Sequence, residues 1–228
     1  MKTAINKRLL VCSELVRDGA VLADVGTDHA YLPIYLLECG KIERAVLSDI
    51  NQGPLNKARE NSEKAGFIHN VELCLCNGAS ELKKYGATDY AICGMGGELI
   101  ADIIEHAPHL KDKNVNLILQ PMSRANLLRK YLTENGFEIL GETLSRSGKI
   151  YQTIHARFSG KKDAYNEEEL LLGRYNVEHT PPLFADFVAH ELQVAKRVLQ
   201  GKEQSASAST EEDKRMIEIL TKRLESLL

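Results

Sequence analysis

Val21-Leu-Ala-Asp-Val-Gly-Thr-Asp-His-Ala-Tyr-Leu-Pro33 is the stretch on which the fold turns. It begins as an apolar run, the mark of a strand buried on both faces. It breaks at Gly26 into a short polar turn, Thr27-Asp28-His29, and resumes as a helical segment. Pro33 falls in the first turn of that helix, where no backbone hydrogen bond is lost to it. A strand, a glycine turn and a helix in this order build the ligand crevice of a doubly wound sheet. Two carboxylates, Asp24 and Asp28, flank the glycine. A crevice lined by them disfavours pyrophosphate and suits a cationic or hydroxyl-rich ligand.

The same alternation continues down the chain. Strand-like runs are expected at Val21–Val25, Ala45–Asp49, Val71–Cys76, Tyr90–Cys93 and Val115–Gln120. Helical patterns are expected between them, at Ala30–Cys39, Pro54–Ala65, Glu98–His106 and Arg124–Asn135. Ser123 stands where the last helix needs an N-cap, and Gly136 just past its end. Phe137–Leu144 and Ile150–Phe158 then read as two strands joined by Ser145-Arg-Ser-Gly-Lys149, with no helix between them. The pattern predicts an α/β fold over residues 1–159: a Rossmann-like sheet, mostly parallel, closed by an antiparallel hairpin.

Residues 160–228 read as a helical extension. Phe184, Phe187, Val188, Ala195, Val198 and Leu199 form a stripe within Pro181–Gln200. Gly201–Asp213 reads as a flexible connection. Ile217, Leu220, Leu224 and Leu227 recur at coiled-coil spacing. A helical hairpin or short antiparallel coiled coil fits this pattern; so does a helical cap packed on the sheet.

Composition narrows the class. The chain has 228 residues, is 43% hydrophobic and carries a formal charge of −3. It holds no apolar run of the roughly 18 residues a membrane span needs. Leu9–Val16, interrupted by Ser13 and Glu14, reads as an amphipathic helix and not as a signal peptide. Five cysteines at 12, 39, 74, 76 and 93 show no CxxC spacing and read as reduced core residues of a cytoplasmic protein. His106 and His109 flank Pro108, but no further ligands stand at suitable spacing, so no metal is expected. Oligomeric state is left open.

The cofactor question is decided by missing glycines. Dinucleotide binding needs G-x-G-x-x-G, and here the loop is Gly26-Thr-Asp-His-Ala-Tyr31. A P-loop is also absent from the sequence. S-adenosyl-L-methionine carries no phosphate; it offers a sulfonium, an ammonium and a ribose diol. Asp24 is placed to attract the ammonium, directly or through water, and Gly26 to let the backbone approach. Asp49 follows Gly26 at about the 20-residue spacing of a ribose-binding acid. Ile50 can pack on an adenine, and Asn77-Gly78, ending the third strand, can meet its edge. Gly94-Met95-Gly96-Gly97 ends the fourth strand, where three glycines allow a sharp turn and close approach to a ligand.

Ala23-Asp-Val-Gly-Thr-Asp-His-Ala-Tyr-Leu-Pro33, Ile92-Cys-Gly-Met-Gly-Gly-Glu-Leu-Ile100 and Leu117-Ile-Leu-Gln-Pro121 together resemble the bacterial tRNA adenine-22 N1-methyltransferase family. The resemblance implies a class I methyltransferase domain with a C-terminal helical extension, S-adenosyl-L-methionine as donor and an adenine of tRNA as acceptor. It maps the family's Asp-His pair onto Asp28 and His29, with the aspartate in the catalytic role. It also implies altered adenine contacts at Asp49 and Asn77, where related enzymes vary.

A ring nitrogen of adenine needs no deprotonation before it attacks, so alignment is the main task. Asp28 then either stabilises charge developing on the base or simply caps the next helix through the Ala30 or Tyr31 amide. His29 either orients substrate, holds Asp28, or is structural. Tyr31 and Tyr35 offer a stacking face, although core packing fits them better. Lys7, Arg8, Arg124 and Arg129 are candidate RNA contacts, with Arg146 and Lys149. Lys196, Arg197, Lys214, Arg215, Lys222 and Arg223 are candidates in the tail. Two rival functions share this sequence: a methyltransferase of a small metabolite, and a non-catalytic interaction module built on the tail.

Overall fold

The computed structural model describes residues 3–204 and 210–227. The chain divides into two compact units, Met1–Ala164 and Tyr165–Leu228. Lys161–Asp163 still belongs with the first: the Asp163 amide donates to Thr133 O at 3.0 Å.

The first unit is a seven-stranded sheet in the order β3-β2-β1-β4-β5-β7-β6. Its strands are β1 (Val21–Val25), β2 (Arg44–Asp49), β3 (Val71–Leu75), β4 (Asp89–Met95), β5 (Asn116–Pro121), β6 (Phe137–Ser147) and β7 (Lys149–Phe158). β1 to β5 are parallel, while β7 runs antiparallel to both β5 and β6. The helices are α1 (Lys7–Leu15), α2 (Tyr31–Glu38), α3 (Gln52–Ala65), α4 (Gly97–Glu105) and α5 (Ala125–Glu134). The expected sheet and its closing hairpin are both present. The hairpin is tighter than predicted, with Ser147 facing Lys149 across Gly148.

Alternate residues of one strand point to opposite faces. Ala23 and Val25 pack into one buried cluster with Val46, Ile92 and Leu119. Leu22 joins another with Ala45, Leu47, Ala91 and Ile118. Both faces of the sheet are therefore covered, and this makes the strands read as unbroken apolar runs. β1 stands between β2 and β4, where the winding reverses; a ligand crevice opens beyond the carboxyl ends of such strands.

Two side chains lay α1 along this sheet. At one end Arg8 Nη1 donates to Gln120 Oε1, next to the last residue of β5, at 2.7 Å. Beyond the other end, Arg17 Nε and Nη2 grip the buried Asp89 at the start of β4, at 2.9 and 2.6 Å. The helix thus runs from the crevice edge of the sheet to the opposite edge, and Arg8 is held at the crevice.

Arg124, not Ser123, is the N-cap of α5, with a left-handed backbone (φ 53°) and no side-chain cap bond. Arg129, expected on the surface, is fully buried. Its Nε donates to Glu142 Oε1 at 2.7 Å and its Nη2 to Gln152 Oε1 at 2.6 Å, so it fastens α5 to the hairpin and cannot touch RNA.

The second unit holds α6 (Glu167–Leu172), α7 (Arg174–His179), α8 (Phe184–Gln204) and α9 (Glu211–Leu227). The pair α8 and α9 matches the expected helices. Helices α6 and α7 were not anticipated. A capping box of Asn166 and Glu169 starts α6, and Gly173 ends it. The connection expected at Gly201–Asp213 is shorter: 201–204 extend α8, and Glu211–Asp213 open α9. Of the remainder, Thr210 is non-helical and 205–209 lie outside the described residues. Val198, placed on the apolar stripe, is 45% exposed.

Candidate cofactor and substrate crevice

Four segments meet at the carboxyl edge of β1 and β4. A cavity of about 310 Å³ is lined there by Asn6, Arg8 and Leu9 of the α1 end, by Asp24 and Gly26, by Asp28 to Leu32, and by Cys93 and Gly94. Of the predicted residues, Asp24, Gly26, Asp28, His29 and Gly94 are thus brought together. Arg8, predicted as an outer RNA contact, joins them.

The turn itself is fixed by backbone bonds. The Gly26 and Thr27 amides both donate to Ser48 O at 2.8 Å, tying the end of β1 to β2. Gly26 is at φ +75°, and a β-carbon there would collide with the Met95 methyl, so this position demands glycine on two counts. Ala30 holds a left-handed backbone (φ 55°), a strained conformation for a residue with a side chain. Strain of this kind gathers where a turn must aim functional groups, and here it precedes α2 directly.

Asp24 is the half-buried charge of the site. Burial pushes its carboxyl up to about 6, against the pull of the Thr27 hydroxyl and the Arg8 guanidinium. Among the described residues no cation forms an ion pair with it. A carboxylate shielded from water without a cationic partner is suited to receive a cationic group from a ligand. Beside it, the Cys93 thiol donates to Cys12 Sγ at 3.7 Å. That bond, with burial, holds Cys93 protonated and draws Cys12 the other way.

Asp28 lies at the mouth, its side chain 76% exposed, with Oδ2 3.2 Å from His29 Nε2. The N-cap of α2 is Ala30 and makes no side-chain cap bond, so helix capping does not account for Asp28. His29 stacks on Tyr31 at 5.0 Å and 18°, and its Nδ1 is buried without a partner. Tyr31, 44% exposed, lines the crevice and does not pack in the core. Its helical spacing concealed that, because it is the first residue of α2 and faces outward.

The remaining cofactor candidates lie one and two strands away on the same edge. Asp49 Oδ1 accepts the Asn51 amide at 2.8 Å, and Oδ2 has no partner among the described residues. Ile50 beside it is 62% exposed. The Cys76 amide donates to Asp49 O at 3.1 Å and so brings Asn77 and Gly78 alongside. Met95 reaches them only through its methyl over Gly26. Of the three glycines at and beyond the end of β4, Gly97 is structural: a β-carbon there would strike the backbone of Arg124, and its amide donates to Ser123 O at 2.8 Å. Gly94 borders open space at the crevice.

Of the remaining RNA candidates, Lys7 is exposed and opens α1. Arg124 is paired with Glu98 at 2.6 Å. In the second unit Arg215 pairs with Glu167, Arg223 with Glu168 and Lys214 with Glu211. Sequence reasoning missed Asn6 and Cys93 at the crevice, and Gln120 behind it. Gln120 stood in a quoted motif, and a buried amide at a strand's carboxyl end was its signal.

An acid-lined crevice at the switch point of a 3-2-1-4-5-7-6 sheet defines a Rossmann-like methyltransferase, and residues 5–154 match the family described as a methyltransferase domain. The chain is 32% identical to the tRNA (adenine(22)-N(1))-methyltransferase of Bacillus subtilis, over 98% of this chain and 95% of that one. It belongs to the tRNA (adenine(22)-N(1))-methyltransferase family. The Streptococcus pneumoniae protein Sp1610, solved in complex with S-adenosyl-L-methionine, is 30% identical, with a TM-score of 0.84 over 97% of this chain and 100% of that one. The M. capricolum protein TrmK, solved with S-adenosyl-homocysteine, is 25% identical, with a TM-score of 0.78 over 97% and 98%. Among the described residues no helix is long and apolar enough to cross a membrane.

Proposed function

We infer that this chain transfers a methyl group from S-adenosyl-L-methionine to N1 of adenine-22 in tRNA. The observation that carries the reading is the half-buried carboxylate of Asp24 beside the glycine turn, without a cationic partner among the described residues. A cavity with that group at its floor and no phosphate-binding glycines fits a nucleoside cofactor with a cationic tail.

When bound, S-adenosyl-L-methionine supplies a methyl group on a sulfonium, open to in-line displacement. Asp24 receives the ammonium, and the backbone at Gly26 and Gly94 leaves room beside it. Asp49 Oδ2 accepts from the ribose hydroxyls, while exposed Ile50 covers one adenine face and Asn77-Gly78 meet its edge. Met95 closes the side over Gly26.

The acceptor base enters at the mouth. Its N1 already holds a lone pair, so the residues there must align it and manage the positive charge it gains on methylation. Asp28 stabilises that charge and accepts the proton released from the exocyclic amino group. His29 holds Asp28 by the 3.2 Å contact, and its stack with Tyr31 offers the base a flat surface. The second unit is a further RNA-binding element. Offering bulk tRNA and a small-metabolite pool separately as methyl acceptors tests the reading: label entering only the metabolites would favour the rival enzyme.

A further inference from the structure

Two cations gather on one aromatic ring beside the crevice. Arg8 Cζ lies over the Tyr151 ring at 5.7 Å, and Lys149 Nζ at 5.3 Å. Among the described residues neither forms an ion pair. Among those residues the side chain hydrogen-bonded by Arg8 is neutral Gln120, and Lys149 has the ring alone. By contrast, five of the other basic side chains singled out for RNA, Arg124, Arg129, Lys214, Arg215 and Arg223, are each paired with a carboxylate. Position matters as much as charge. Arg8 lines the crevice itself, and Tyr151 and Lys149 lie on the part of β7 that runs past the carboxyl end of β5.

We propose that Arg8 and Lys149, held together by Tyr151, form a receptor for an RNA phosphate next to the base being methylated. The proposal rests on the tRNA reading above. An aromatic face gathers cations without cancelling their charge, unlike a carboxylate. The pair therefore stays available to a phosphate oxygen, which Arg binds through its fork and Lys as a point charge. The arrangement also separates two tasks by sign. Asp24 and Asp28 attract the cationic donor and manage charge on the base; the ring-held cations at the rim take the anionic backbone. Tyr151 is a positioning residue here.

The test uses the full chain with Lys149→Ala, Tyr151→Leu and Tyr151→Phe, leaving Arg8 in place because it also faces Asp24. Tyr151→Phe keeps a ring, and retained S-adenosyl-L-methionine binding checks that each variant is folded. Expected are a KM for tRNA raised about 5- to 20-fold in Lys149→Ala and Tyr151→Leu, with kcat near wild type and cofactor affinity unchanged. The slope of log affinity for tRNA against log salt should become shallower by about 0.7–0.9 per lost phosphate contact. Tyr151→Phe should behave as wild type. Wild-type tRNA affinity and salt slope in both Lys149→Ala and Tyr151→Leu overturn the proposal and leave the methyltransferase reading standing. A wild-type chain that methylates no tRNA overturns both.

Discussion

The terminal methyl of Met95 fills the space that a β-carbon at Gly26 would need. One strand end thus closes over the turn of its neighbour, and the crevice floor depends on residue 26 having no side chain. Gly26→Ala must displace Met95 and also hold a left-handed backbone. A strain of about 1–3 kcal/mol follows. Calorimetric titration should show cofactor affinity at least tenfold weaker, with a lower Tm. Adding Met95→Ala should relieve only part of the loss, because the φ of +75° remains.

Asp24 gives the site a pH dependence of determinate sign. Its carboxyl is raised from 3.8 to about 6 in the fold. A raised acid favours the folded state while protonated. That contribution is complete below about 3.8 and is lost as pH rises toward 6. At neutral pH the ionised group costs the ligand-free fold up to about 3 kcal/mol, by the usual 1.36 kcal/mol per unit. Asp24→Asn should therefore raise the Tm of the free protein at pH 7. A cationic ligand needs the ionised form, so cofactor affinity should fall as pH drops below about 6, by no more than tenfold per unit. In Asp24→Asn it should be weak and flat between pH 5 and 7; an unchanged profile would remove Asp24 from the cofactor site.

Asp28 is exposed and caps nothing, so its removal should leave the fold alone. Asp28→Ala and Asp28→Asn are expected to change stability by no more than about 0.5 kcal/mol, as surface substitutions do. Cofactor binding should stay intact, while methyl transfer falls by about 100-fold or more, the scale of a lost general base. Full turnover in both variants would take Asp28 out of the chemistry.

The pair Arg129 and Glu142 makes the opposite prediction. Both side chains are out of water. Arg129→Ala strands a buried carboxylate and should cost about 3–5 kcal/mol in urea unfolding. Measured well below the transition, its tRNA affinity should match wild type.

The sheet was legible because a strand covered on both faces must be apolar throughout, and because Gly26 punctuates the first of them. The hairpin was legible from two strand patterns without a helix between. Arg129 was not: a cation on a helix reads as solvated, and the acid that neutralises it, Glu142, lies on another element. Helices α6 and α7 were hidden because each is only six residues long, too short to show a periodic stripe. At the site, Asp24, Asp28 and His29 could be found because they sit in one stretch of chain. Arg8 and Tyr151 could be joined only by the fold, which lays α1 against the hairpin.

The central claim is the transfer of a methyl group to one atom of one nucleotide. Purified protein, labelled S-adenosyl-L-methionine and a tRNA transcript, followed by mass-spectrometric mapping of the digested product, test it directly. A single 1-methyladenine at position 22, lost when that adenine is replaced by guanine, is the expected result. Label at another nucleotide, or none in tRNA while the cofactor binds, would contradict it.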